Sequence, residues 1–328
     1  MAKRKKWTKK QKEQRLKLTI TGLLVIVSFL IGLFFGDNPY DAAFFTRKWE
    51  SLTNDWGTTF SSTNPNNVAD SDGTVYFFDV GQGSSTLYQA ADGTTVLIDT
   101  GRYDDKDKRI VSYLDRYIGT GGKIDLLIFT HNDADHIGNG DLVLDYYQVE
   151  EVWMNGVDQT TRVYENVLDA IEKSNAIYYE PKAGEMREVG PFKVEVFNPE
   201  TSSKTGDHNE ESIVTRTTLS NVSVVNSGDV SEKFENQIID NYGSLQAEIL
   251  LVGHHGSRDS NSKEWLSTID PEAAVVQAGE DNPYGHPHKE TLERINEQSI
   301  PLYSTIEDGT ITVMIQKDGQ YSITTDKP

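Results

Sequence analysis

The segment "FTHNDADHIGNG", Phe129–Gly140, decides how this chain is read. It places His131, Asp133, Asp135 and His136 within six residues, after the apolar run "IDLLIFT" (Ile124–Thr130) and ahead of glycines. Junctions between strand and loop are where a rigid scaffold presents functional side chains. Carboxylates crowded together repel one another unless a cation neutralises them. An Asx-type turn or a helix cap at Asn132 or Asp133 would account for one or two of these polar groups, but not for all four. The spacing therefore predicts a metal site. The 328 residues contain no cysteine, which excludes disulfides and thiolate ligands, so an ion must be held by nitrogen and oxygen.

Around this segment, strand-like and helical patterns alternate. "VYFFDV" (Val75–Val80) and "TTVLID" (Thr94–Asp99) read as strands with Ile124–Thr130. "KRIVSYLDRYI" (Lys108–Ile118) and "TRVYENVLDAIEKS" (Thr161–Ser174) carry helical spacing. The second half repeats the style with "FKVEVF", "VSVVNSGD", "AEILLVGHH" and "EAAVVQAG". Residues 72–328 thus suffice for one large α/β domain with a substantial core. No internal repeat occurs, which excludes a solenoid.

The first 71 residues differ in kind. Residues 1–17 hold nine Lys or Arg against the single acid Glu13, a basic tip of charge +8. With −20 over the whole chain, residues 18–328 carry −28. "LTITGLLVIVSFLIGLFFG", Leu18–Gly36, has no charged residue and is long enough to cross a bilayer as a helix. A signal peptide shares this layout, but its apolar core is shorter, about 7–15 residues, and ends in a small-x-small site not evident here. The basic flank predicts an N-terminus in the cytoplasm and everything after Gly36 outside the cell, in a single-pass membrane protein. Residues 37–71 are polar and read as an extracellular linker, with Phe44, Phe45, Trp49 and Trp56 able to seat it on the membrane interface or on the domain.

"HNDADH" resembles the H-x-[HED]-x-D-H signature of the metallo-β-lactamase superfamily. "LIDTG" with Asp99, "NSGD" with Asp229 and "LLVGHHGS" with His254 and His255 resemble further motifs of that superfamily, in its order. "FFDVGQGSSTLY", "HNEESIVTRT" and "NPYGHPHKETLERI" extend the likeness to the hydrolase domain of ComEC-type competence proteins, over about residues 75–315. The resemblance implies a four-layer αββα sandwich, here behind one transmembrane helix, and metal-dependent hydrolysis. In those proteins the similar domain is thought to degrade the DNA strand that does not enter the cell. Their channel part has no counterpart here, and a single anchor cannot form one. Fold and family do not settle the substrate.

Three positions depart from the superfamily's pattern. Asp133 stands where a second histidine is commonest, the separate third-motif histidine is replaced by a region with Asn209 and Ser212, and Ser84 stands where an aspartate often follows "DVGQG". His208 is a possible substitute for the absent histidine. By the resemblance, a first ion is held by His131, Asp133 and a bridging Asp229. A second is held by Asp135, His136, Asp229 and one of His254 and His255, with His255 preferred. Two ions about 3.5–4 Å apart acidify a shared water, aim it at an electrophile and stabilise the charge that develops. Imidazole with carboxylate suits zinc, and added oxygen ligands move the balance towards manganese, so two divalent ions are expected with zinc ahead of manganese.

The expected catalytic residues are Asp133, Asp135 and His286. His286, in "YGHP", is read as a substrate contact or a proton donor to the leaving group. Ser257 and Arg258 are candidates for binding a phosphoryl oxygen, against the plainer reading of an exposed loop. His288 reads as surface, and Thr291–Asn296 as a helix. "VGQG" (Val80–Gly83) lets backbone approach a ligand closely, or simply turns a hairpin.

The favoured function is cleavage of phosphodiester bonds, a nuclease being one form of it. The charge of −28 repels polyanions and offers no strong nucleic-acid footprint, which favours a second reading, an esterase for phosphocholine or teichoic-acid substituents of the cell envelope or for small esters. A third, a non-catalytic surface-binding protein, sits poorly with so full a ligand set. Protein partners are not indicated.

Overall fold

The computed structural model describes residues 71–200 and 207–327. The basic tip, the expected membrane segment Leu18–Gly36 and the expected linker up to residue 70 lie outside these residues. Among the described residues no helix is long and apolar enough to cross a membrane.

The chain enters as β1 (Ser71–Phe77), so Ser71, expected as the last linker residue, already belongs to the domain. Strands β2 (Thr86–Ala90) and β3 (Thr95–Ile98) follow as an antiparallel meander. Three crossovers then add parallel strands. Helix α1 (Arg109–Tyr117) leads to β4 (Lys123–Ile128), α2 (Gly140–Tyr146) to β5 (Gln148–Trp153), and α3 (Arg162–Lys173) to β6 (Ile177–Tyr179). The expected helices at 108–118 and 161–174 are thus present, the second capped by the Thr161 hydroxyl, which accepts from the Tyr164 N–H at 3.2 Å.

The second sheet starts antiparallel with β7 (Met186–Val189), β8 (Phe192–Asn198), β9 (Val214–Leu219) and β10 (Val222–Asn226). It turns parallel through α4 (Glu232–Tyr242) to β11 (Ile249–Leu251), α5 (Lys263–Ile269) to β12 (Ala273–Val276), and α6 (Lys289–Glu297) to β13 (Leu302–Ser304). After the single turn α7 (Thr305–Asp308), β14 (Ile311–Gln316) returns to pair with β1, and β15 (Tyr321–Thr325) ends the first sheet. The helix expected at Thr291–Asn296 is α6, which begins two residues earlier.

Side-chain alternation explains the packing. β1 alternates buried and part-buried residues, whereas β3 and β12, each inside its sheet with neighbours on both sides, are buried at every position. Val96, Ile98, Leu126 and Ile128 of the first sheet meet Val194, Val224, Ile249 and Val275 of the second in one core between the sheets. On the far side of the second sheet, Val225, Leu250 and Ala274 pack with Phe234, Ile238, Trp265, Leu266 and Ile295 of α4, α5 and α6. On the first sheet, Phe78 stacks on Tyr113 of α1 with centroids 4.5 Å apart, and Tyr76 lies 4.1 Å from Tyr117. The carboxyl ends of β3, β4, β10, β11 and β12 converge at one rim, where the motif residues follow.

Candidate metal centre

His131 and His136 follow β4, Asp229 follows β10, and His255 follows β11, so each is delivered by the end of a buried strand. His131 and His136 are fully buried and their rings lie 4.0 Å apart between centroids. Ligand-capable atoms of His131, His136 and Asp229 form one group within 4.8 Å of one another, and those of Asp135, His136 and His255 form a second. Asp229 addresses more than one partner. Its Oδ1 is 3.4 Å from His136 Nε2, while its Oδ2 is 3.7 Å from His131 Nε2 and 3.6 Å from His254 Nε2. His255 Nε2 lies 3.4 Å from Asp135 Oδ2 and 3.2 Å from His136 Nε2.

The outer ring nitrogens are held so that the inner ones face the cluster. His136 Nδ1 lies 2.8 Å from Asp99 Oδ2, and His255 Nδ1 lies 2.8 Å from the Gln277 carbonyl oxygen. With those nitrogens protonated, the neutral form of each ring would present the Nε2 lone pair inward to an ion. Asp99 is itself anchored by the Thr130 N–H and hydroxyl, both at 2.8 Å, and so supports the site from beneath. His131 Nε2 is buried and makes no hydrogen bond, a costly state unless a ligand-seeking ion satisfies it. This donor set of imidazole nitrogens and carboxylate oxygens fits divalent metal ions.

The electrostatics agree. Burial opposes charge on Asp229, yet His136, His131 and His254 outweigh it and hold its carboxyl well below the ordinary range. Burial likewise opposes charge on Asp135, but the hydrogen bond from His255 and the charge of His136 hold its carboxyl below the ordinary range. Burial would lower His136, but Asp229 and Asp99 raise it well above its ordinary value, and His255 is raised by Asp229 and Asp135 against the same burial. Burial and neighbouring His136 push His131 down to about 4. The carboxylates of Asp229 and Asp135 therefore stay ionised and draw positive charge to their side.

The loop bearing the paired histidines is strained. His254 and His255 are consecutive left-handed residues, with φ of 50° and 52°, a conformation that costs non-glycine residues free energy and persists only where neighbours impose it. Here the Asn261 side chain accepts from the Gly253 N–H at 2.7 Å and donates to the Gly253 carbonyl at 2.9 Å, while the His254 N–H donates to the Gly228 carbonyl at 3.0 Å. The strain points the two rings in different directions, with an interplanar angle of 73°. Both histidines therefore face the cluster, His255 towards Asp135 and His254 towards Asp229.

The other expected residues fall out unevenly. Asp133 stands at the rim, its side chain 42% exposed and its Oδ2 3.9 Å from His131 Nε2, outside both tight groups. His286 is buried beside the pair, its ring 5.5 Å from that of His254, and its Nδ1 has no hydrogen-bond partner. Burial, with His255 and His254, pushes it down to about 4, so the ring is neutral and suited to contacting substrate more than to giving up a proton. Ser257 is buried, but its carbonyl accepts from the Thr291 hydroxyl and its N–H donates to the His254 carbonyl. Arg258, a candidate for meeting a phosphoryl oxygen or else part of an exposed loop, is half-exposed and lies 3.3 Å from Glu290. His288 is the residue before α6 and makes no side-chain bond to its first turn; its Nδ1 accepts from the Arg258 N–H. His208 stands in neither group.

Two features were not read from the sequence. The Gln277 side chain bridges the two sheets under the site, bonding the Ser84 hydroxyl (3.0 Å), the Ser85 N–H (3.3 Å) and the carbonyls of Phe78 (3.0 Å) and Ser85 (2.7 Å). The Ser212 hydroxyl accepts from the Asp229 N–H at 3.1 Å, giving the Asn-x-x-Ser region a positioning role. Of the two readings of "VGQG", the hairpin fits: these residues lie in the connection of the antiparallel pair β1 and β2 and serve the protein's own backbone. The Ser84 N–H donates to the Asp135 carbonyl at 3.1 Å, and a Cβ on Gly83, whose φ is +146°, would lie 2.5 Å from that oxygen.

This arrangement of two sheets and helices around a histidine and aspartate cluster defines a metal-site hydrolase scaffold, and residues 78–280 match the metallo-beta-lactamase superfamily, to which the chain belongs. Among curated relatives, ComE operon protein 3 of Bacillus subtilis is 29% identical over 255 residues, covering 74% of this chain and 33% of that protein. Competence protein ComA of Neisseria gonorrhoeae is 27% identical over 262 residues, covering 79% of this chain and 35% of that protein. The chain thus spans about a third of the length of these ComEC-type competence proteins. Among solved structures, the diiron beta-hydroxylase CmlA from Streptomyces venezuelae superposes with a TM-score of 0.52 at 13% identity, covering 88% of this chain and 59% of that one, a likeness of fold alone.

Proposed function

We propose that this chain is a membrane-anchored hydrolase that uses two divalent ions, zinc ahead of manganese, to cleave phosphodiester bonds outside the cell. In this reading the domain is the four-layer αββα sandwich, behind one membrane helix at Leu18–Gly36. The observation that carries it is the placement of Asp229, whose two oxygens face different sets of histidines and so suit a carboxylate shared between two ions. When bound, such ions would activate water and offset negative charge at the attacked centre. The chain's own residues supply the rest. Asp99 and Gln277 orient His136 and His255, Asp135 and Asp229 keep the pocket anionic, and His286 offers a neutral ring to the substrate. Relatives named as competence proteins bring nucleic acid into the reading.

The charge of −28 on residues 18–328 favours a second reading, an envelope phosphocholine or teichoic-acid esterase, because it disfavours long polyanions. One panel separates the two. Hydrolysis of single-stranded DNA, a cyclic dinucleotide, a phosphocholine ester and a chromogenic lactam is followed with added zinc or manganese across ionic strength. DNA or dinucleotide turnover supports the first reading, and phosphocholine release without DNA cleavage supports the second. Turnover of the lactam alone refutes both. Protease added to intact cells tests the location: digestion of the large domain is expected, and survival until the membrane is opened refutes an extracellular domain.

A further inference from the structure

Asp133 is the most exposed acid of the motif, and it stands where the superfamily most often has a second histidine. An imidazole presents a lone pair along a fixed direction, whereas a carboxylate on a rotatable bond does not. Such a ligand needs its second oxygen held if the first is to face an ion. The hold is visible in the structure. Gln159 Nε2 donates to Asp133 Oδ1 at 3.0 Å, which leaves Oδ2 facing His131 Nε2 at 3.9 Å.

The loop carrying Gln159 is fixed to the same turn by a separate set of bonds. The Asn155 side-chain oxygen accepts from the Val157 N–H at 3.1 Å and from Asn132 Nδ2 at 3.2 Å, and Asn132 Nδ2 also donates to the Val157 carbonyl. Asn132 and Asn155 are both buried, so the loop after β5 is tied down next to the residue that it steadies. The chemistry of the donor matters as well. A lysine or arginine at position 159 would hold the carboxylate more firmly but would compete with an ion for its charge. A neutral amide orients it and leaves the charge available.

We infer that Gln159 is a positioning residue that orients Asp133 as a ligand of the first metal ion. The inference rests on the two-ion reading above, but not on the identity of the substrate. The test is calorimetric titration of zinc ions into the metal-stripped full-length chain, with H131A marking the first site and D135A the second. Q159A, and Q159M as a variant that keeps the side chain's bulk without its donor, are expected to weaken the first site by about 10–100-fold. The second site keeps its affinity, the metal-free protein keeps its melting temperature, and neither change weakens zinc binding further when D133A is already present. The inference is overturned if both sites keep wild-type affinity in Q159A and Q159M, or if the loss persists in the D133A background. Equal weakening of both sites with a lower melting temperature overturns it too, since the loop would then be merely structural. A wild-type chain that binds no zinc would refute the two-ion reading itself, a result distinct from any of these.

Discussion

Replacing Glu235 by glutamine should remove a pH dependence of stability that the fold builds in. Glu235, on α4, is fully buried, and its two carboxyl oxygens accept from the backbone N–H groups of Asn261 and Ser262, the latter at 2.8 Å. Those bonds lower its pKa, but burial outweighs them and raises it from 4.5 to about 7. The native state therefore binds more protons than the unfolded chain between these two values. The resulting stability is fully present below about pH 4.5 and is lost as pH rises through about 7. At about 1.4 kcal/mol for each pH unit, the loss comes to about 3 kcal/mol. Denaturant unfolding of metal-free wild type and E235Q from pH 4.5 to 8 measures it, because the difference between the two curves cancels the titrations they share. Wild type should lose about 3 kcal/mol relative to E235Q across that range. Curves that stay parallel would refute the reasoning. The consequence reaches the site, since Glu235 steadies Asn261, which holds Gly253 and so the strained histidine pair.

Asp135→Ala and His136→Ala should each lower the metal content by roughly one ion per chain and abolish turnover; elemental analysis checks this, and an unchanged metal-to-protein ratio would sink the assignment. His254→Ala and His255→Ala should differ, because the rings face different partners: loss of His255 should weaken the site of Asp135 and His136, and loss of His254 the side of Asp229 that faces His131. Zinc titration of the two variants compares them, and identical binding curves would contradict the geometry. Gln277→Ala leaves buried groups of Phe78, Ser84 and Ser85, in the connection from β1 to β2, without this partner and should cost on the order of 3 kcal/mol in denaturant unfolding; a cost near zero would show that water replaces the amide.

The sequence disclosed the parts of the site that lie close together along the chain. "HNDADH" delivers His131, Asp135 and His136 from one turn, and "LIDTG", "NSGD" and "GHH" each bring their residues on the end of an apolar strand, a pattern visible without coordinates. The helices at 109–117 and 162–173 were legible for the same local reason. The supports were not. Gln277 meets Ser84 and Ser85 across some 190 intervening residues, and Glu235 meets Asn261 and Ser262 from another helix, so nothing near them in sequence marks them as paired. Arg258 was legible only as far as two readings, a phosphate contact or an exposed loop. Chain adjacency to the histidines does not fix where a long side chain points, and in the structure its half-exposed guanidinium lies 3.3 Å from Glu290 on α6.

That last contact bears on how an anionic substrate could be held. Arg102 follows "LIDTG" and is paired with Asp104 at 2.7 Å, while Arg258 follows the histidine pair and is paired with Glu290. The arginines carried by these two motif loops thus each have a carboxylate partner at the surface, and the buried cluster itself holds the carboxylates of Asp135 and Asp229. An anionic phosphodiester entering it must then find its positive charge in bound ions, with little direct help from these side chains. Affinity for a non-hydrolysable phosphorothioate dinucleotide should therefore depend on metal, falling at least about tenfold, or about 1.4 kcal/mol, when a chelator strips the protein. Fluorescence anisotropy of a labelled dinucleotide, with and without chelator, measures it, and melting of the stripped protein confirms that the fold persists. Equal affinity in the two states would place the binding charge on the protein and overturn the argument.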